Sequence, residues 1–182
     1  HAAPTRMVRR IRSPLFAAPA FALKGGTFTI KTTPEKGSEF VAAYLEPVAG
    51  GMAQIKLETA PGEDETGLLA LAATTPKDAP AGLYNLAVEF SNQRWDSQPH
   101  AVKVIDAYKA DFDFIHMTDL HFNMQYMKGV DMNLARRAVM KKINALDPEF
   151  IIFTGDLGLD PEEYDSDFID AYAEMVRGIN SA

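Results

Sequence analysis

The sequence predicts a β-sandwich followed by the first strand–helix–strand–helix part of an α/β domain. Up to about residue 109, short runs of alternating polar and apolar residues are separated by Gly and Pro, which is typical of an antiparallel sandwich. Beyond that point apolar residues recur at intervals of three and four, which is typical of helices. Residues 111–182 also hold 14 acidic and 6 basic residues, whereas the preceding part is nearly neutral. We therefore expect one domain at residues 1–109 and a second at residues 110–182.

The composition indicates a globular protein and excludes several classes of function. The chain has 182 residues, of which 47% are hydrophobic and 24% charged, so we expect one mid-sized domain or two small ones with a buried core. Its net charge of -7 argues against a nucleic-acid-binding protein with a basic face. Because the chain has no cysteine, disulfides, zinc fingers and thiol catalysis are excluded.

Six runs in the first domain are predicted to be strands of the sandwich: Thr27–Lys31, Phe40–Leu45, Met52–Leu57, Leu68–Ala73, Leu83–Phe90 and Ala101–Ile105. Nothing among them points to catalysis. Trp95 and His100 are isolated in sequence, and we expect them to be core or surface residues. The sandwich is therefore interpreted as a binding, spacing or lid module.

The segment before these strands allows two interpretations. Arg6–Arg12 followed by the apolar residues 15–22 has the outline of a signal peptide. The same apolar residues also fit an edge strand interrupted by proline, which is the interpretation we favour. The first interpretation favours a periplasmic or secreted location over a cytoplasmic one. No apolar run approaches the length of about 20 residues that a spanning helix needs.

The second domain begins with a predicted strand at Phe112–Met117 and a helix that Asp131 caps and Asp147-Pro148 ends. The residues expected on the buried face of this helix are Met132, Ala135, Val139, Ile143 and Leu146. Phe150–Phe153 has no polar residue, which predicts a strand buried on both faces of a parallel sheet. Asp160-Pro161 then opens a second predicted helix, whose apolar stripe is Tyr164, Phe168, Tyr172, Met175 and Ile179.

Two acidic residues follow the two strands of this unit. Asp119 comes after the first strand and Asp156 after the second, and parallel strands end at the same edge of a sheet. If the chain after Met117 stays extended, His121 points to the same side as Asp119, because side chains alternate. Two carboxylates and an imidazole suit zinc, iron or manganese. An acid/base carboxylate pair is the competing interpretation, but it gives His121 no role.

The two segments that carry these residues resemble a known family. His116–Phe122 (HMTDLHF) and Phe153–Leu157 (FTGDL) are similar to the first two signature motifs of the calcineurin-like metallophosphoesterases, the superfamily that includes purple acid phosphatases. The resemblance implies an α/β domain with two metal ions, iron, zinc or manganese, that hydrolyses phosphomonoesters or phosphodiesters with a metal-activated hydroxide. It also implies that Asp119 and His121 ligate the first metal ion and that Asp156 bridges both. The preceding sandwich is similar to the immunoglobulin-like or fibronectin-like domains often fused to such enzymes.

The later motifs of the family have no counterpart in this chain. His121 is its last histidine, so the Gly-Asn-His and Gly-His-x-His motifs are absent and no catalytic residue is assigned. We therefore expect the N-terminal, apparently truncated part of a phosphoesterase, inactive by itself and holding at most one ion weakly. Its implied partner is a phosphate ester substrate. An exposed sheet edge is also expected to favour self-association.

The sequence leaves two alternatives open. In the first, the sandwich acts as a binding or adhesion module and the α/β part is only structural. Substitution of Asp119 or Asp156 by alanine would then leave partner binding and stability unchanged. In the second, a partner chain completes the metal site.

Overall fold

The computed structural model describes residues 10–62, 67–91, 94–121, 131–156, 173–175 and 177–181, with the side chains of Arg94 and Met132 excepted. The chain divides into two compact units, His1–Tyr108 and Lys109–Ala182, one residue away from the expected boundary. No helix among the described residues is both long and apolar enough to cross a membrane.

The first unit is a β-sandwich of two sheets. Its strands are β1 (Ile11–Ser13), β2 (Ala20–Leu23), β3 (Thr27–Thr32), β4 (Phe40–Pro47), β5 (Ile55–Lys56), β6 (Glu58–Pro61), β7 (Leu69–Thr74), β8 (Gly82–Phe90) and β9 (Arg94–Ile105). One sheet has the order β1-β3-β7-β6 and the other the order β2-β9-β8-β4-β5. Five of the six predicted runs overlap a strand, four of them with nearly the same bounds, whereas Ala101–Ile105 is only the second part of β9.

Alternating side chains build one core between the two sheets. In β3, Phe28 and Ile30 face inward, whereas the threonines at either side of Phe28 are exposed. Leu45 and Leu86 from the opposite sheet join the same core and are fully buried. The hydrophobic contact between the two inner faces therefore stabilises the sandwich.

The sixth predicted run, Met52–Leu57, is wrong as a single strand. Ile55–Lys56 pairs with β4 in one sheet, and Glu58–Pro61 pairs with β7 in the other. Leu57 lies at the crossing and is buried, and its backbone N–H donates to the carbonyl oxygen of Ala43 at 2.9 Å. The alternating pattern continues across the crossing, so it does not reveal that the chain changes sheets.

The predicted edge strand near the start of the chain is confirmed. Ala20–Leu23 is β2, which lies at the edge of the five-stranded sheet, and Ala22 belongs to the core. It pairs with Val102–Ile105 of β9 in parallel. The expectation of a purely antiparallel sandwich was therefore wrong at this pair, because the chain leaves β1, which pairs antiparallel with β3, and joins the other sheet at its edge beside β9.

Trp95 and His100 occupy the places expected of surface and core residues. Trp95 is exposed on β9, and its ring lies 5.4 Å from that of Tyr44. His100 is buried, with its backbone N–H donating to Asn85 Oδ1 and its ring edge-on to Phe16. Burial lowers the pKa of the His100 imidazole, which keeps the ring neutral at pH 7.

The second unit contains the predicted parallel strands and the helix between them. Its described elements are β10 (Phe114–Met117), α1 (Met132–Leu146) and β11 (Phe150–Phe153), and residues 173–175 and 177–178 are helical. β10 and β11 pair in parallel over all four residues of each strand. A strand–helix–strand connection thus places the ends of both strands at one edge, as the sequence predicts.

The bounds of α1 follow the predicted capping residues. Asp131 Oδ1 accepts the backbone N–H groups of Asn133 and Leu134 at 2.9 and 3.1 Å. At the other end, Asp147 adopts a left-handed conformation, with φ of 47°, directly before Pro148. These groups satisfy part of the unpaired backbone at each end of the helix.

Two expectations about burial in this unit were wrong. Val139 and Leu146 are exposed, whereas Met140 and Ile143 pack against the sheet, so the buried face of α1 is rotated from the predicted one. β11 is not buried on both faces, since Ile152 is 40% exposed. A fully apolar strand can therefore be covered on one face only, and its composition does not distinguish it from a strand that is covered on both faces.

Only part of the second predicted helix lies within the described residues. Met175 and Ile179 are both buried and pack against Ile143 of α1, as the apolar stripe predicts. Tyr164, Phe168, Tyr172 and the Asp160-Pro161 start of this helix lie outside the described residues. Self-association through a sheet edge stays a prediction.

Candidate metal centre

The candidate ligands lie on two segments that continue the pairing of β10 and β11 beyond the strand ends. The backbone N–H of Thr154 donates to the carbonyl oxygen of Met117 at 3.1 Å. Asp119 donates likewise to Gly155, and His121 to Asp156, at 3.3 and 3.2 Å. The two segments are thus held side by side by backbone hydrogen bonds.

The backbone at the three candidate ligands is left-handed rather than extended. The φ angles of Asp119, His121 and Asp156 are 55°, 41° and 49°, and Gly155 has φ of 113°, which glycine adopts readily. The expectation of an extended segment after Met117 was therefore wrong. Asp and His tolerate this conformation better than bulky or β-branched residues, and such conformations cluster at functional sites.

The structure brings all three candidate side chains together. His121 Nε2 lies 3.6 Å from Asp119 Oδ1 and 3.4 Å from Asp156 Oδ2. One ligand atom from each residue lies within 4.8 Å of the other two. The imidazole is largely covered, with 17% of its side chain exposed, whereas the carboxylates of Asp119 and Asp156 are 59% and 45% exposed. The arrangement is an open cluster with its carboxylates reachable from solvent.

Neighbouring hydroxyl groups orient the loop residues. Thr118 Oγ1 donates to Asp119 Oδ2 at 2.8 Å, whereas the other carboxylate oxygen of Asp119 faces His121. His116 Nε2 and Thr154 Oγ1 share a hydrogen bond of 2.6 Å just before Gly155 and Asp156. Each acidic loop therefore has a threonine hydrogen bond at its start.

Arg136 of α1 also contacts the first loop, and the sequence interpretation missed it. Its Nε donates to the carbonyl oxygen of Leu120 at 3.3 Å and its Nη2 to that of His121. The available signal was spacing: Arg136, Met140 and Ile143 stand four and three apart, on the face of α1 that packs inward. An arginine in this row interrupts the apolar face, and because its guanidinium is partly buried it needs hydrogen-bond acceptors nearby.

The residues present fit a divalent cation. Ligand atoms at about 2.0–2.2 Å from a shared zinc-sized ion lie about 3–4 Å from one another. The separations from His121 Nε2 to the two carboxylates fall in this range. At 3.4 and 3.6 Å they are also longer than ordinary hydrogen bonds. Two oxygen donors and one nitrogen donor suit zinc, iron or manganese.

Comparisons with known proteins identify no family. No protein-family model matches the chain, and no curated protein matches it significantly. Among solved structures, it is similar to SGBP-B of the mixed-linkage glucan utilization locus of Bacteroides ovatus, in complex with a mixed-linkage heptasaccharide. The identity is 17% over 65% of this chain and 28% of that chain, with a TM-score of 0.39. The chain thus spans less than a third of that protein.

Two further solved structures are similar with lower TM-scores. The fibronectin(III)-like modules of Clostridium thermocellum CbhA share 19% identity over 55% of this chain and 98% of that chain, with a TM-score of 0.29. Murine CRIg shares 10% identity over 52% of this chain and 93% of that chain, with the same TM-score. Likenesses this distant carry no argument about function.

Proposed function

We propose that the second unit is part of a calcineurin-like metallophosphoesterase domain and that the first is an immunoglobulin-like accessory domain. The observation that supports this proposal is the convergence of Asp119, His121 and Asp156, whose ligand atoms lie within 4.8 Å of one another. Three side chains that stand up to 37 positions apart in the sequence meet where the motif resemblance expects ligands.

In this proposal the chain's own residues bind and orient the reacting groups. Bound divalent ions would supply Lewis acidity toward the phosphoryl oxygens and activate the attacking water. Asp119 and His121 would hold one ion, and Asp156 would supply a further carboxylate ligand beside them. The pairing of the two loops keeps these donors at the rim of the sheet. The substrate class is a phosphomonoester or phosphodiester.

We expect metal binding to depend on Asp119, His121 and Asp156 and not on the negative charge of other carboxylates in the chain. In calorimetric titrations of the full chain with Mn²⁺ and Zn²⁺, Asp119→Asn, His121→Asn and Asp156→Asn should each weaken binding at least tenfold. Asn tolerates the left-handed backbone at these positions. Asp111→Asn, at an exposed residue outside the cluster, is the matched control and should bind as the wild type does. Absence of heat with the wild-type chain would contradict the proposed centre.

A second titration tests the phosphoesterase assignment apart from metal binding. Inorganic phosphate is expected to bind the chain loaded with Mn²⁺, and neither the metal-free chain nor the Asp156→Asn variant. If Mn²⁺ binds and phosphate does not, the metal site stands and the phosphoesterase assignment is wrong.

A second candidate function is ligand binding by the sandwich. Glu89 and Trp95 are register partners on β8 and β9, and Tyr44 Oη donates to Glu89 Oε2 at 3.1 Å. Trp95 is 51% exposed and its ring packs against Tyr44. An exposed tryptophan that packs against a partly buried tyrosine beside a carboxylate offers an apolar surface with a polar rim. Soluble oligosaccharides are a suitable probe, because sugar rings present a C–H face and hydroxyl groups.

The fluorescence of Trp95 tests this candidate directly, because Trp95 is the only tryptophan of the chain. We expect millimolar oligosaccharide to shift or quench its emission, and Trp95→Ala to abolish the binding heat measured by calorimetry. Tyr108→Ala, at a residue 68% exposed, is the control and should bind normally. Unchanged emission across a panel of neutral oligosaccharides would rule out this surface as a sugar site.

A further inference from the structure

Arg136 joins helix α1 to the loop that carries two of the candidate metal ligands. Its guanidinium donates to two successive backbone carbonyl groups, those of Leu120 and His121. A third hydrogen bond runs from Nη1 to Asn133 Oδ1, one turn earlier in α1, at 2.8 Å. One side chain thus connects the first turn of the helix to the loop beside the cluster.

The position of Arg136 is set by the helix that presents it. Asp131 caps α1, and its side chain accepts the N–H groups of Asn133 and Leu134, which stabilises the first turn. Arg136 is half-buried, on the face of α1 that also carries Met140 and Ile143. Partial burial lowers the pKa of its guanidinium, but an arginine side chain is not deprotonated in proteins. A permanent cation therefore lies beside the backbone of a loop that holds carboxylates.

The contacts of Arg136 oppose relaxation of the loop. Asp119 and His121 both have left-handed φ angles, a conformation that costs of order 1 kcal/mol or more for residues other than glycine. Binding of the carbonyl groups of Leu120 and His121 restrains the loop in that conformation. The planar guanidinium reaches two acceptors at once, which an ammonium group on a flexible stem does not reproduce.

We propose that Arg136 is a positioning residue that holds His121 and Asp119 in place before an ion binds. This inference rests on the proposed metal centre. Loss of a hydrogen bond that orients a metal ligand typically lowers the affinity for the metal by about 10–100-fold. Arg136 makes such contacts through the backbone of the ligand loop rather than through the imidazole itself.

Arg136→Met and Arg136→Lys test this proposal, with Arg137→Met as the matched control. Arg137 is the next residue of α1 and pairs with Glu174 through its guanidinium, away from the loop. We expect Arg136→Met to weaken binding of Mn²⁺ by 10–100-fold and Arg136→Lys, which keeps charge and packing, to fall between it and the wild type. Arg137→Met should bind as the wild type does.

Hydrogen exchange in the metal-free chain separates positioning from a general loss of structure. Backbone amides of Asp119 and His121 should exchange faster in Arg136→Met, whereas those in the middle of α1 should not change. If both Arg136 variants bind Mn²⁺ normally while Asp119→Asn does not, the positioning role is wrong and the metal centre stands. If Asp119→Asn also binds normally, the centre itself is wrong.

Discussion

Replacement of Leu86 by alanine is expected to lower the free energy of unfolding of the sandwich by about 2–5 kcal/mol. Leu86 is fully buried and lies in the core that both sheets share. Its truncation removes apolar contacts and leaves a cavity, since neighbouring strands are held by backbone hydrogen bonds and cannot collapse fully around it. For a unit of this size, the midpoint of thermal unfolding should fall by roughly 10 °C or more.

The unfolding of this variant can be followed in the first unit alone. Trp95 is the only tryptophan and belongs to this unit, so its fluorescence reports the sandwich within the full chain. Leu69→Ala is the matched control, because this leucine is 37% exposed at the start of β7. It should cost less than about 1 kcal/mol. Equal losses in the two variants would contradict the core described above.

Replacement of Asp96 by alanine is expected to have the second largest effect, about 2–4 kcal/mol. Asp96 lies on β9, is 8% exposed, and accepts the backbone N–H groups of Arg10 and Ile11 through Oδ2. Its Oδ1 accepts the N–H of Ser97 at 2.9 Å. The carboxylate therefore connects β1 of one sheet to β9 of the other, and alanine leaves the buried N–H of Ile11 and two partly buried N–H groups without this acceptor.

Asp106→Ala is the control for the loss of a negative charge. Asp106 is exposed and pairs with Lys24 at 2.6 Å, a surface ion pair expected to contribute less than about 1 kcal/mol. Urea unfolding followed by Trp95 fluorescence compares the two variants. If Asp96→Ala and Asp106→Ala are equally stable, the connection between the sheets is not important for stability.

The sequence predicts the strands and helices with a regular apolar pattern well, and it predicts poorly which other elements cover their residues. Alternation in β3 and the capping Asp131 of α1 are local signals, and both are seen in the structure. The crossing at Leu57 and the exposure of Ile152 depend on which partners cover a residue, and the residue itself does not encode this. The buried face of α1 was missed for the same reason, because several apolar residues compete for one contact surface.

The sequence predicted that the three candidate ligands lie close together, which the structure shows, but its expectation of an extended backbone there was wrong. Parallel strand ends bring Asp119 and Asp156 to one edge whatever the details of the loops, so topology alone predicts their convergence. The left-handed conformations and the contacts of Arg136 depend on interactions between segments far apart in the sequence. That the three residues bind an ion stays a prediction.

The parallel pairing of β2 with β9 has a mechanical consequence. The ladder of hydrogen bonds between the two strands runs from the pair Ala20–Val102 to the pair Leu23–Ile105. Once β1 is released, a force that stretches the chain acts on the amino end of β2 and on the carboxyl end of β9, which lie at opposite ends of this ladder. The two strands are then pulled past each other lengthwise, so the rungs share the load instead of opening one at a time. The sandwich should therefore resist a stretching force that acts along the direction of β2 and β9.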